Sequence, residues 1–235
     1  MPPRSRGRHD MAKGSLTEGE VKISGYRGRL RFDRAFRHLT TIELMAATFG
    51  VALAMVIIIR MIEGPAQRLD TALRATARWS FLWFWLASSS GAIATLFGSN
   101  YRALAQRARD FGLAFASAHL VHVGLVAWLL YHAATPFPHL IFFGVGIFWI
   151  YLLALLSVKR FSAMLGPRIW RLIRTLGVEY IAFVFLVDFA KNPYQDGVLS
   201  LIAYLPFQAM AVAGPLLRIA AAAKRAAQAR KVVTS

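Results

Sequence analysis

Residues 42–61 read IELMAATFGVALAMVIIIRM, an apolar run with one carboxylate at its start and one arginine beside its end. An α-helix rises 1.5 Å per residue, so a run of this length covers a hydrocarbon core roughly 30 Å thick. Blocks of similar length recur at 79–97, 111–131, 140–158, 172–189 and 198–220, separated by short polar connections. The spacing predicts an all-α integral membrane bundle of about six transmembrane helices. Composition agrees: 57% of the residues are hydrophobic and the mean hydropathy is +0.49, above the roughly 45–50% apolar usage of soluble domains.

The chain has 235 residues, enough for one membrane domain at 40–220 flanked by a basic, partly disordered tail at 1–39 and a basic tail at 221–235. A formal charge of +17 raises the question of nucleic acid. The basic residues, however, sit at helix ends and in the tails, where membrane topology accounts for them, and nucleic-acid binding is not expected. With both tails on one side, that side collects ten Lys or Arg before residue 38, then Arg102, Arg107 and Arg109, then Lys159, Arg160, Arg168, Arg171 and Arg174, then Arg218, Lys224, Arg225, Arg230 and Lys231. The other side holds Arg60, Arg68, Arg74, Arg78 and Lys191. This bias predicts a cell inner (plasma) membrane protein with both termini cytoplasmic. Leu30, Phe32, Phe36 and Leu39 alternate with arginines and suit an interfacial segment on an anionic leaflet. The absence of cysteine excludes disulfides, thiolate metal sites and cysteine nucleophiles.

Within the spans, Ser88, Ser89, Ser90 and Gly91, and again Gly144 and Gly146, are small enough for close helix contact. Trp79, Trp83 and Trp170 read as interfacial aromatics, with Trp85 deeper, and Pro206 and Pro215 are candidate kinks in the last helix. His119 and His122 are three apart, so they share a helix face inside the third span. An imidazole there is either a hydrogen-bonded packing residue or a ligand to a metal or haem. His132 and His139 flank a loop with Pro136 and Pro138 and suit an interface. Glu179 and Asp188 are intramembrane carboxylates, with Arg171 or Arg174 as partners for Glu179.

Residues 77–112, ARWSFLWFWLASSSGAIATLFGSNYRALAQRARDFG, resemble the second span and arginine-rich loop of the ferric reductase-like transmembrane family, which includes the haem-bearing membrane subunit of bacterial methionine sulfoxide reductase systems. In that family a Gly-Leu precedes a haem-ligating histidine ten residues after the glycine; Gly112, Leu113 and His122 match this spacing. Residues 155–189, LLSVKRFSAMLGPRIWRLIRTLGVEYIAFVFLVDF, are similar to the family's fifth-helix region, but its two histidines fall at Arg174 and at Val187 or Asp188. The resemblance covers roughly 40–220.

What the resemblance implies is a membrane electron-transfer component with b-type haem. His122 and His119 are the metal-ligand candidates, His132 is a third cofactor-binding candidate paired with His119, and Arg109 and Arg174 stand where cytoplasmic arginines neutralise haem propionates. His119 and His132 are about 20 Å apart along a helix but about 140° apart around it. A five-coordinate haem, a methionine or a partner chain's ligand are the other solutions. No G-x-G-x-x-G fingerprint lies between a strand and a helix, so an oxidoreductase role would take electrons from quinol, free flavin or a flavin-containing reductase subunit. The missing fifth-helix histidines point equally to a haem-free accessory or scaffold subunit that keeps the fold without redox activity. A transporter has only Glu179 in its favour.

Overall fold

The computed structural model describes residues 39–64, 67–132, 137–191 and 198–233. The chain divides into Met1–Leu39 and Thr40–Ser235, and the described helices belong to the second unit. The expected disorder and interfacial packing of residues 1–38 lie outside the described residues. Among those described there is no strand; the helices are α1 (Thr41–Ile62), α2 (Arg68–Phe97), α3 (Arg102–Gln106), α4 (Ala108–His132), α5 (Phe137–Leu156), α6 (Lys159–Lys191) and α7 (Val198–Val233), with a 3₁₀ turn at Ser99–Tyr101.

Among the described residues four stretches are long and apolar enough to cross a membrane, namely Thr41–Ile62, Arg68–Phe97, Ala108–His132 and Ala203–Lys231, and they make this a membrane protein. Ile141–Leu156 is apolar but shorter. Helix α6 carries Arg168, Arg171, Arg174, Glu179 and Asp188, and it breaks at Gly166, whose φ of 69° and ψ of 162° precede Pro167. Proline tolerates the first turn of a new helix, so the break restarts α6 at Pro167.

Local chemistry fixes the other ends. Thr40 and Glu43 form a capping box at α1: the Thr40 N–H donates to Glu43 Oε2 at 2.7 Å, and the Glu43 N–H donates to Thr40 Oγ1 at 3.3 Å. Gly98, at φ 94°, lets the chain leave α2.

Two boundaries differ from expectation. Helix α2 begins at Arg68 and not near 79, because Arg74 and Arg78 face the bundle interior and need no aqueous loop. Helix α7 runs on through the expected tail to Val233, where Lys224 Nζ donates to the Thr95 and Leu96 carbonyls at 2.9 and 3.1 Å and Arg225 donates to Thr95 Oγ1 at 3.2 Å. A cation on these orphan carbonyls complements the negative end of α2.

Helices α2, α7, α6, α5 and α4 form a ring, each touching the next, and α1 lies outside it against α2 and α4. Small residues set the tight contacts: a Cβ on Gly177 would lie 2.8 Å from the Trp149 ring and 2.9 Å from Leu153, one on Gly146 would meet Val184 at 3.4 Å, and one on Gly214 would meet Ser89 at 3.4 Å. Hydroxyls join α1 to α4, with Ser117 Oγ donating to the Met45 carbonyl at 2.9 Å and Thr48 Oγ1 to that of Ala114 at 3.2 Å. Trp79 is not interfacial; its indole donates to the Thr48 carbonyl at 3.0 Å and its ring meets Trp83 edge-on at 5.7 Å. Trp85 is also inside, donating to the Met210 carbonyl at 2.9 Å. In the middle of the ring Phe81 and Phe84 of α2, Phe115 of α4, Phe185 and Phe189 of α6 and Phe207 of α7 interlock, with Phe81 4.9 Å from Phe189 and 5.1 Å from Phe185.

Candidate functional site

Helices α4 and α6 face each other across the ring with their backbones apart, joined by aromatic contacts of Phe185 with Phe115 at 6.0 Å and with His119 at 6.2 Å. Between them lies a cavity of about 730 Å³, walled also by α2, α5 and α7 and floored by Phe185 and Phe189. That volume falls within the roughly 300–1,000 Å³ of small-molecule and cofactor sites.

One wall is polar. His119 and His122 of α4 lie with ring centroids 5.0 Å apart, tilted by 30°. Each meets a hydroxyl of α2: Ser80 Oγ is 3.1 Å from His119 Nδ1, and Thr76 Oγ1 is 3.1 Å from His122 Nδ1. Both hydroxyls also donate to their own helix, Thr76 to the Ala72 carbonyl at 2.8 Å and Ser80 to that of Ala77 at 3.0 Å. A hydroxyl has one proton. A hydroxyl proton directed to the backbone leaves the oxygen to accept from Nδ1–H and the lone pair on Nε2, whereas one directed to Nδ1 makes the imidazole the acceptor; in both cases the hydroxyl holds the ring at Nδ1. An imidazole held in this way is oriented for coordination through Nε2.

The remaining walls complete an amphipathic chamber. Arg74 and Arg78 project from α2, and Arg74 pairs with Asp70 at 2.9 Å. Asp188 lines the cavity from α6 and has a partner of its own. Val123, Val126, Ile147, Ile150, Ile181 and Val184 supply apolar surface.

The structure brings together His119 and His122 and leaves the other candidates elsewhere. His132 is exposed, stacked on Trp128 at 4.3 Å, with its Nδ1 2.8 Å from the Trp128 carbonyl; its place around α4 separates it from His119. Arg109 and Arg174 are exposed and outside the cavity, near the end of the bundle where α4 starts, whereas the cavity occupies the half towards the end of α4. Glu179 pairs with neither Arg171 nor Arg174 but with Arg218 of α7, which donates to both carboxylate oxygens at 2.8 and 2.7 Å. Planar guanidinium and carboxylate fit two-pronged, and α7 presents Arg218 where α6 presents Glu179. His139 opens α5, and its side chain lies outside the described residues. Among the described residues no group of three His, Cys, Asp or Glu converges as a metal site. Thr76, Ser80, Arg74 and Arg78 were not expected here; the helical spacing of Thr76 and Ser80, four apart on one face, was the available signal.

No protein-family model, curated protein or solved structure matches the chain.

Proposed function

We propose that the chain is a six-span, ferric reductase-like electron-transfer component holding one b-type haem between α4 and α6. The observation that carries this reading is the pair of imidazoles on the wall of a cofactor-sized cavity, each ring held at Nδ1 by an α2 hydroxyl. Either residue would hold the iron of a bound haem from the α4 wall. The α6 wall offers Ile181, Val184, Phe185 and Asp188 there, none of which is an imidazole, so the protein supplies a single histidine. His122 is the less buried of the two and is assigned as the ligand, with His119 beneath it.

When bound, haem supplies one-electron transfer. The chain's own residues exclude water with the phenylalanine floor, orient the imidazoles through Thr76 and Ser80, and place two arginines beside the chamber. In the six-span topology with cytoplasmic termini, the cavity occupies the half of the membrane away from the cytoplasm, and α5 and the part of α6 after Pro167 complete the count. Electrons arrive from quinol, free flavin or a reductase subunit. A second reading, a haem-free accessory subunit, is favoured by the imidazole-free α6 wall.

The test is haem stoichiometry in protein purified after expression with ample haem supply. His122→Ala is expected to lower occupancy at least five-fold, while His132→Ala stays within about 20% of wild type. Equal occupancy in the two variants removes His122 as the ligand; no haem in wild type leaves the accessory reading.

A further inference from the structure

Among the described residues, Arg78 of α2 is a cation with no carboxylate beside it. The bonds from Ser80 to His119 and from Thr76 to His122 align α2 with α4, and they put Arg78 at the depth of the two imidazoles. Its guanidinium lies 4.3 Å over the Tyr204 ring and 5.6 Å from that of Phe207. Among the described residues its Nε is buried without a hydrogen-bond partner and no carboxylate pairs with it. The two carboxylates of the cavity are engaged, Asp70 by Arg74 and Asp188 by its own partner. Aromatic faces offset only part of the cost of desolvating a charge, which is ordinarily met by an opposite charge.

We propose that Arg78 receives the carboxylate of an amphipathic acid seated in this cavity, its apolar body against Val126, Leu130, Ile147 and Val184. Charge complementarity selects the head group and the apolar walls select the body. The proposal reaches beyond the haem reading, because a haem propionate and a membrane-derived long-chain fatty acid present the same chemistry. Tyr204 covers one face of the guanidinium, leaving its edge N–H groups to form the two-pronged contact that a carboxylate accepts.

The test uses the full chain in detergent, stripped of lipid and titrated with two acid and ester pairs: palmitate against methyl palmitate, and protohaem against its dimethyl ester. Binding is read by calorimetry and tryptophan quenching. At least one acid is expected to bind wild type ten-fold or more tightly than its ester, a preference that falls to near one in Arg78→Gln and is largely kept in Arg78→Lys. If Arg78→Gln does not fold, Arg78→Met takes its place, and the wild-type ratio stands without either. Equal binding of acid and ester by wild type, a preference that survives loss of the arginine, or no binding of either acid overturns the proposal. A preference seen with palmitate, with no binding of protohaem or its ester, supports Arg78 while removing the haem reading; one seen with protohaem supports both.

Discussion

Thr76 and Ser80 hold two imidazoles by the same device, a hydroxyl set between a carbonyl of its own helix and the Nδ1 of a histidine on the neighbouring one. Outer-shell partners of this kind typically change metal affinity 10–100-fold. Thr76→Val, which keeps the shape and removes the oxygen, is therefore expected to weaken haem binding about ten-fold, and Thr76→Ser to restore it, as read by haem titration. The Glu179–Arg218 pair makes a different prediction. Removing either partner leaves the other charge unmatched between two helices, a loss of about 1 kcal/mol, because Glu179 is 49% exposed and the pair is screened. The Glu179→Leu, Arg218→Met double variant should recover most of it in a thermal-unfolding double-mutant cycle. At this scale the sequence makes His119 and His122 legible, since a three-residue spacing suffices to place both on one face. It hides their hydroxyl partners, which depend on how α2 slides along α4. Arg109 and Arg174 lie outside the cavity, and charge alone does not give the depth of a site.

Helix α6 meets α5 through Gly177, where backbone and the Trp149 ring approach too closely for any side chain. Gly177→Leu is expected to force the two helices apart and lower the melting temperature, with a loss of 1–3 kcal/mol typical of overpacking, roughly; an unchanged melting temperature would show that the contact gives way freely. The capping box of α1 could be read directly from Thr40 and Glu43, which stand three apart just before an apolar run. The start of α2 could not. Hydropathy treats Arg74 and Arg78 as loop residues because it averages over the helix circumference, while their cost depends on which way they face. The extension of α7 beyond 220 was hidden likewise, since its cations are tied to the end of α2 rather than free in a tail.

For the molecule as a whole, the absence of cysteine makes topology directly measurable. Gly64→Cys, between α1 and α2, and Ser99→Cys, after α2, are both at exposed positions. The proposed orientation places the first outside, open to an impermeant maleimide in intact cells, and the second inside, labelled only after permeabilisation; the reverse pattern would invert the assignment. The helical class and membrane setting were legible because apolar runs of spanning length are a property of composition along the chain. The cavity was not, because it arises where the α4 and α6 backbones stay apart above their shared Phe115–Phe185 contact. The central claim is that this gap holds haem on a single histidine. The most direct measurement is the visible spectrum of purified wild-type protein, oxidised and then reduced with dithionite, after expression with ample haem. A Soret band that shifts on reduction is predicted; a folded, colourless protein would contradict it.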